Sequence, residues 1–240
     1  MQENTLIPIR KAAEMLGVSI DTLRRWDTKG TLPAIKTPGK HRYYSPEQIA
    51  LYQRDLFTSA KQWATVMEEP LPDATCSCEN NLVFQTRLIR MESEFLHAFP
   101  DLDWVSLIIP AVGEMGNNSF DHNLGNWRDT PGIWYGYDTR KRQIVLADRG
   151  QGVLATLRRV RPTLATDTDA LHTAFTEVLS GRAPEARGNG LKLVKLIVDR
   201  YPLSVDFYSG NAHAIMKHGQ PLKITHSHLD FQGTLARITF

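Results

Sequence analysis

The chain has 240 residues, 42% hydrophobic and 22% charged, with two cysteines. Those proportions are ordinary for a globular protein and exclude collagen-like, low-complexity and wholly disordered chains, and two cysteines exclude a disulfide scaffold. The net charge of +2 hides an asymmetry: residues 1–63 carry ten Lys and Arg against six Asp and Glu, and the remainder carries eighteen against twenty. A basic segment ahead of a slightly acidic one can mark a nucleic-acid-binding part.

At ~100–200 residues per domain the length accommodates one large domain or two small ones. No apolar run reaches the ~18 residues of a membrane span. The densest, residues 105–113, contains Ser106 and Pro110. Met1-Gln2-Glu3-Asn4 lacks the basic start of a secretory signal, so a cytoplasmic protein with no membrane partner is expected.

In chain order, residues 9–16 read as a helix and Gly17-Val18-Ser19 as a turn. Ser19 caps a second helix running to about Asp27. Residues 32–44 hold a small hairpin around Thr37-Pro38-Gly39-Lys40. Ser45 and Pro46 open another helix. Pro70, Pro72, Glu68-Glu69 and Cys76-Ser77-Cys78 then interrupt the periodicity, so residues 64–81 read as a linker between domains at 1–63 and 82–240. Beyond it, Phe84, Leu88, Met91, Phe95 and Phe99 recur at helical spacing, and a second helix covers residues 111–123, started or kinked by Pro110. Strands are expected at 133–137 and 143–147, helices at 153–160, 168–179 and 191–201, and four short strands at 204–208, 213–217, 222–225 and 234–240. The expected class is α+β: a small all-α domain, then helices on one face of a mostly antiparallel sheet.

The amino-terminal pattern of helix, glycine turn and helix is a DNA-reading unit. Ile20, Leu23 and Trp26 share one side of the second helix, leaving Ser19, Thr22 and Arg25 on another, with Arg24 at its margin. A major groove accepts such a helix. The hairpin adds Lys36, Lys40, His41 and Arg42 beside Tyr43 and Tyr44, suited to the phosphate backbone.

Three further motifs follow. Glu114, Asn118 and His122 fall four apart on one helical face, where a carboxylate can activate water and an amide oxygen can ligate Mg²⁺. Asp148-Arg149-Gly150-Gln151-Gly152 follows an apolar strand and pairs a carboxylate, suited to an exocyclic amine, with glycines that permit close approach. Gly188-Asn189-Gly190-Leu191 opens a helix whose exposed amides favour phosphates.

Residues 6–54 resemble the winged helix-turn-helix of MerR-type regulators and excisionase-like proteins. The likeness rests on residues 9–19, on Thr22-Leu23-Arg24-Arg25-Trp26 and on residues 37–46; Lys40 stands where the family often has Gly. It implies double-stranded DNA as partner, contacts from Thr22, Arg24, Arg25, His41 and Arg42, and a homodimer. Residues 82–240 resemble the GHKL superfamily, the two-layer Bergerat-fold ATPases that include DNA gyrase, MutL and histidine-kinase ATP domains. The likeness rests on the three motifs above and on Gly233-Thr234. It implies ATP and Mg²⁺ as cofactors, Glu114 as general base and Asn118 as Mg²⁺ ligand. It further implies Asp148, Gly150 and Gly152 at adenine, His122, Gly188, Gly190, Leu191 and Thr234 at the nucleotide, and residues 153–187 as a lid with Arg182 and Arg187 near phosphates. The contact of Arg149 stays open.

The expected function is transcription regulation by a protein whose nucleotide state controls binding of DNA or of a protein partner. The alternatives are a slow Mg-dependent ATPase or anti-sigma-like kinase, and a nucleotide sensor without hydrolysis. His97, followed by Ala98-Phe99-Pro100, does not suit a phosphoacceptor. Cys76 and Cys78 read as free linker thiols rather than metal ligands. His213, His218, His226 and His228 read as polar edge residues, and Trp104, Trp127 and Trp134 as packing residues.

Overall fold

The computed structural model describes residues 6–30, 32–39, 41–53, 55–66, 74–102, 104–177 and 190–240, without the side chain of Leu51. The chain divides into two compact units between Asp55 and Leu56.

The first unit is built by local signals. Helix α1 (Ile9–Leu16) ends at Gly17, whose φ of 65° is the left-handed conformation a helix stop requires. Ser19 caps α2 (Ile20–Lys29), accepting a hydrogen bond from the Thr22 N–H. Ser45 and Gln48 form a reciprocal capping box at α3 (Pro46–Gln53), with bonds of 3.1 and 2.8 Å. Ala12, Ala13, Leu23, Leu32, Tyr44 and Ile49 make the core. The unit is not all-α as expected. The wing strands β2 (Ile35–Lys36) and β3 (Arg42–Tyr44) are joined by β1 (Ile7–Pro8) in a three-stranded antiparallel sheet of order β1-β3-β2. Ile7-Pro8 supplies the third strand because Pro8 directly precedes α1 in extended conformation.

The second unit begins with α4 (Leu56–Thr65), which the expected boundary had assigned to the first. Its sheet holds β4 (Ser77–Cys78), β5 (Ile133–Asp138), β6 (Gln143–Asp148), β7 (Ser204–Lys217) and β8 (Lys223–Thr239), in the order β4-β5-β6-β8-β7 and antiparallel throughout. One face carries α5 (Asn81–Ala98), α6 (Val105–Asn123), α8 (Asp167–Thr176) and α9 (Gly190–Arg200) over a core that includes Phe84, Met91, Val112, Tyr135, Leu146, Val198 and Phe207. Helix α7 (Gly152–Arg158) follows β6 after a turn of three residues.

The expectation of helices on one face only is corrected. Leu56, Ala60, Trp63 and Ala64 of α4 pack with Trp134, Val145, Ala147, Phe231 and Leu235 on the opposite face. Cys76 and Cys78 are free, as expected, but they are buried rather than in a linker: Cys78 in β4 packs in the core on one side of the sheet, and Cys76, just before β4, packs on the other. Pro110 lies inside α6, which starts five residues before it. The four short strands expected at the carboxyl end are two long ones. Register shifts between Ser209 and Ala212 bend the hairpin without breaking its ladder, so far that His218 N–H reaches the Leu203 carbonyl at 3.1 Å.

Candidate functional site

In the first unit, α2 turns Leu23 inward and leans Trp26 on Tyr52, with ring centroids 4.6 Å apart. Ser19, Arg24 and Arg25 are exposed. Thr22 is half-buried, its hydroxyl 2.9 Å from that of Ser19. Arg24 pairs with Asp21 at 2.9 Å, whereas Arg25 makes no ion pair among the described residues. His41 is exposed and Tyr43 sits between Pro8 and Ile35 in the small sheet. Lys40 lies outside the described residues.

Arg42 is not the freely presented wing cation that the hairpin pattern suggested. Its Nε donates to Asp27 at 2.7 Å, and Lys36 Nζ reaches the same oxygen at 3.0 Å. The other Asp27 oxygen accepts the Ala34 N–H at 3.0 Å. The Asp27 side chain is 4% exposed. Burial alone would raise its pKa, but the bonds from Ala34, Arg42 and Lys36 outweigh burial and bring it to about 2. Asp27 thus fastens α2 to both strands of the wing. Sequence reasoning missed it; the signal was one acidic residue at the end of a basic helix, facing a basic hairpin.

In the second unit a cavity of about 620 Å³ opens between α6, the β6 end, α7, α8 and the start of α9. Glu114, Asn118, His122, Asp148, Gly152, Gly190, Leu191 and Thr234 all line it. Gly150 lies behind the wall, its N–H donating to Asp148 Oδ1 at 2.9 Å. A Cβ on Gly150 would collide with the Asn123 side chain at about 2.0 Å. Arg182, Arg187 and Gly188 lie outside the described residues.

Asp148 is the buried floor of this cavity. Its Oδ1 also accepts from Asn123 Nδ2 at 3.2 Å, and its Oδ2 accepts from the hydroxyls of Ser119, 2.8 Å, and Thr234, 2.5 Å. Burial raises its pKa above the ordinary carboxylate value, and the bonds from Thr234, Gly150 and Ser119 offset that only in part. The Thr234 N–H donates to the carboxylate as well, and all of these donors are neutral. Glu114 is exposed and faces the beginning of α9: a Cβ on Gly190 would stand 3.0 Å from both Glu114 Oε2 and Asn118 Nδ2. That glycine therefore lets the first turn of α9 approach the polar stripe of α6. Ser119 and Asn123 form a second polar stripe on α6, one position round from Asn118 and His122, which sequence reasoning missed. An i, i+4 polar pair beside the Glu114, Asn118 and His122 stripe was the available signal.

Arg149, whose contact the sequence left open, points away from the cavity and is fully buried against Asp129 and α4. His226 and His228 line a small depression with Lys61, Tyr208 and His213. His213 stacks on Tyr208, centroids 3.9 Å apart, and bonds Asp206 at 3.0 Å. Trp104, Trp127 and Trp134 serve packing. Among the described residues no helix is long and apolar enough to cross a membrane. None of the described His, Cys, Asp and Glu side chains gather in threes to hold a metal.

A type II methyltransferase of Escherichia coli (M.Eco47II) is 38% identical over 56 residues, which span 23% of this chain and only 13% of that enzyme. Residues 8–44 match the MerR family regulatory protein. The chain thus carries a MerR-family helix-turn-helix at residues 8–44, which supports a DNA-binding regulator.

Proposed function

We propose that the chain is a transcription regulator in which Mg-ATP, bound in the cavity of the second unit, controls DNA binding by the first. The observation that carries the nucleotide reading is Asp148: a buried carboxylate without a cationic partner among the described residues, at the floor of a cavity large enough for a nucleotide. Its Oδ1 is occupied by the Asn123 amide and the Gly150 N–H, whereas its Oδ2 holds two hydroxyls that rotate. An exocyclic amine replaces one hydroxyl at Oδ2, and the released Ser119 or Thr234 hydroxyl turns to a ring nitrogen. An amine-bearing base such as adenine suits this donor set; a base with a carbonyl there would meet a carboxylate.

At the other end of the cavity, Gly190 opens α9 toward Glu114 and Asn118. The backbone amides and dipole of α9 favour phosphate oxygens there. The Asn118 amide oxygen is the group that would hold Mg²⁺, an ion that neutralises phosphate charge when bound. DNA contacts fall to Ser19 at the cap of α2, to Thr22, Arg24 and Arg25 on it, and to His41 and Tyr43 at the wing. The test is the affinity of the full chain for a promoter fragment with and without Mg-ATP at fixed salt. A change of threefold or more supports control by nucleotide, and equal affinities refute it.

The placement of Glu114 favours a second reading, slow hydrolysis. Its carboxylate faces the start of α9, the end of the cavity assigned to the phosphates, and would take the proton of a water bound beside them. Glu114→Ala should then stop phosphate release while Mg-ATP still binds. Binding with no release in the unaltered chain identifies a sensor instead.

A further inference from the structure

Asp148, the last residue of β6, and Arg149, which follows it, face opposite sides of the sheet, as continued pleating requires. Asp148 meets the cavity; Arg149 enters the layer beneath α4. The Arg149 Nε donates to both Asp129 oxygens, at 2.9 and 3.1 Å, and Nη2 donates to Asp129 as well. Nη1 donates to the Trp63 carbonyl at 2.5 Å and Nη2 to the Val66 carbonyl at 3.0 Å. The guanidinium also lies 5.7 Å from the centre of the Trp63 ring. Arg128 donates to the Val66 carbonyl too, and its own N–H bonds the Arg149 carbonyl at 3.2 Å. The carboxyl end of α4, where helix carbonyls have no partner within the helix, is therefore closed by a charged side chain from the strand that carries the cavity floor.

Such a cap is stiff. A buried guanidinium that loses acceptors has no water to replace them. The Arg149 cation also holds the Asp129 carboxyl below its usual range, so the pair stays ionised and the fork stays aimed. The position of the β6 end and that of α4's last turn are thereby tied. Helix α4 is also the element through which the chain passes into the second unit, Leu56 following Asp55 directly.

We propose that Arg149 is a positioning residue that transmits occupancy of the cavity to α4. The proposal rests on the nucleotide reading of Asp148. A ligand that takes a place at Oδ2 changes the donor set of Asp148 and shifts the turn at residues 148–152. The Arg149 guanidinium moves with that turn, and the carbonyls of Trp63 and Val66 follow it. The two arrangements of α4 then differ in their contacts, as a coupling between sites requires.

Hydrogen exchange read by mass spectrometry tests this on the full chain with and without Mg-ATP. Two peptides decide, residues 111–123 for the cavity and 56–66 for α4. In the unaltered chain Mg-ATP should slow exchange in the first and change it at least threefold in the second. Arg149→Met should keep the response at 111–123 and lose it at 56–66. Arg149→Lys should also lose it, because an ammonium cannot span a carboxylate and two carbonyls as the fork does. Should Arg149→Met not fold, Asp129→Asn leaves the guanidinium in place but removes its aim, and should weaken the α4 response at least threefold. Protection of 111–123 with 56–66 unchanged in the unaltered chain overturns the coupling alone, as does a full α4 response in the variants. No response at either peptide overturns the nucleotide reading and the coupling with it.

Discussion

The carboxylate of Asp27 offers a direct measure of how the recognition helix holds the wing. Asp27→Asn keeps the side-chain volume and an oxygen for the Ala34 N–H, but removes the charge that Arg42 and Lys36 share. Holding the carboxyl at about 2, against an ordinary 3.8, stabilises the folded unit by about 2 kcal/mol at neutral pH. Lys36 is half-exposed, so solvent screening makes that figure an upper value. The sign follows from the direction: the folded pKa lies below the unfolded one, so the contribution is complete above about pH 4 and fades as pH falls toward 2. Near pH 3 about half should remain. Urea titration of the full chain, read by pulsed exchange of a peptide from residues 20–30, reports this unit separately. Asp27→Asn should lose about 2 kcal/mol at pH 7 and about 1 kcal/mol at pH 3. An equal deficit at both pH values would refute the ionic origin, and no deficit would show that the pairing with Arg42 and Lys36 adds nothing to stability.

Asp148→Asn should leave the empty protein as stable or slightly more so, because burial disfavours the charge and the two hydroxyls at Oδ2 can turn to accept from an amide. Its thermal upshift with Mg-ATP should vanish; a retained upshift would remove Asp148 from the ligand. Gly150→Ala drives a methyl into Asn123 and should cost about 1–3 kcal/mol as overpacking. Calorimetry should show a lower Tm, and an unchanged one would mean that Asn123 yields freely. Arg25→Ala should weaken DNA binding and, if the side chain meets phosphate, flatten the salt dependence of log K by about one. An unchanged affinity would move the reading surface away from that face of α2.

What was legible in the sequence was local. Gly17, Ser19 and the Ser45–Gln48 pair announce helix ends because each satisfies or redirects backbone within a few residues. The Glu114, Asn118 and His122 stripe was visible for the same reason. The distant donors of Asp148 were not: Ser119, Asn123 and Thr234 are 29, 25 and 86 residues away from it in the chain. Gly210-Asn211 reads as a turn between short strands, yet the ladder to β8 continues past it, because a bulge costs a sheet less than losing its edge pairs. The boundary at residue 64 followed the prolines at 70 and 72, which mark where periodicity stops but not which core a preceding helix joins.

That last point has its own physical logic. Ile144-Val145-Leu146-Ala147 is an unbroken apolar run in an antiparallel strand, and such a strand with one wet face would alternate with polar residues. The run therefore demands cover on both faces. Ile144 and Leu146 meet the helical layer, and Val145 and Ala147 need something else. Leu56, Ala60, Trp63 and Ala64, spaced by four, three and one, supply it. A second unit begun at residue 82 would leave Trp134, Val145, Ala147, Phe231 and Leu235 facing water, a larger apolar surface than single exposed side chains account for. The same helix that completes this core receives the Arg149 fork, so the need to bury a sheet face and the closing of α4 by a charged cap meet at one strand end.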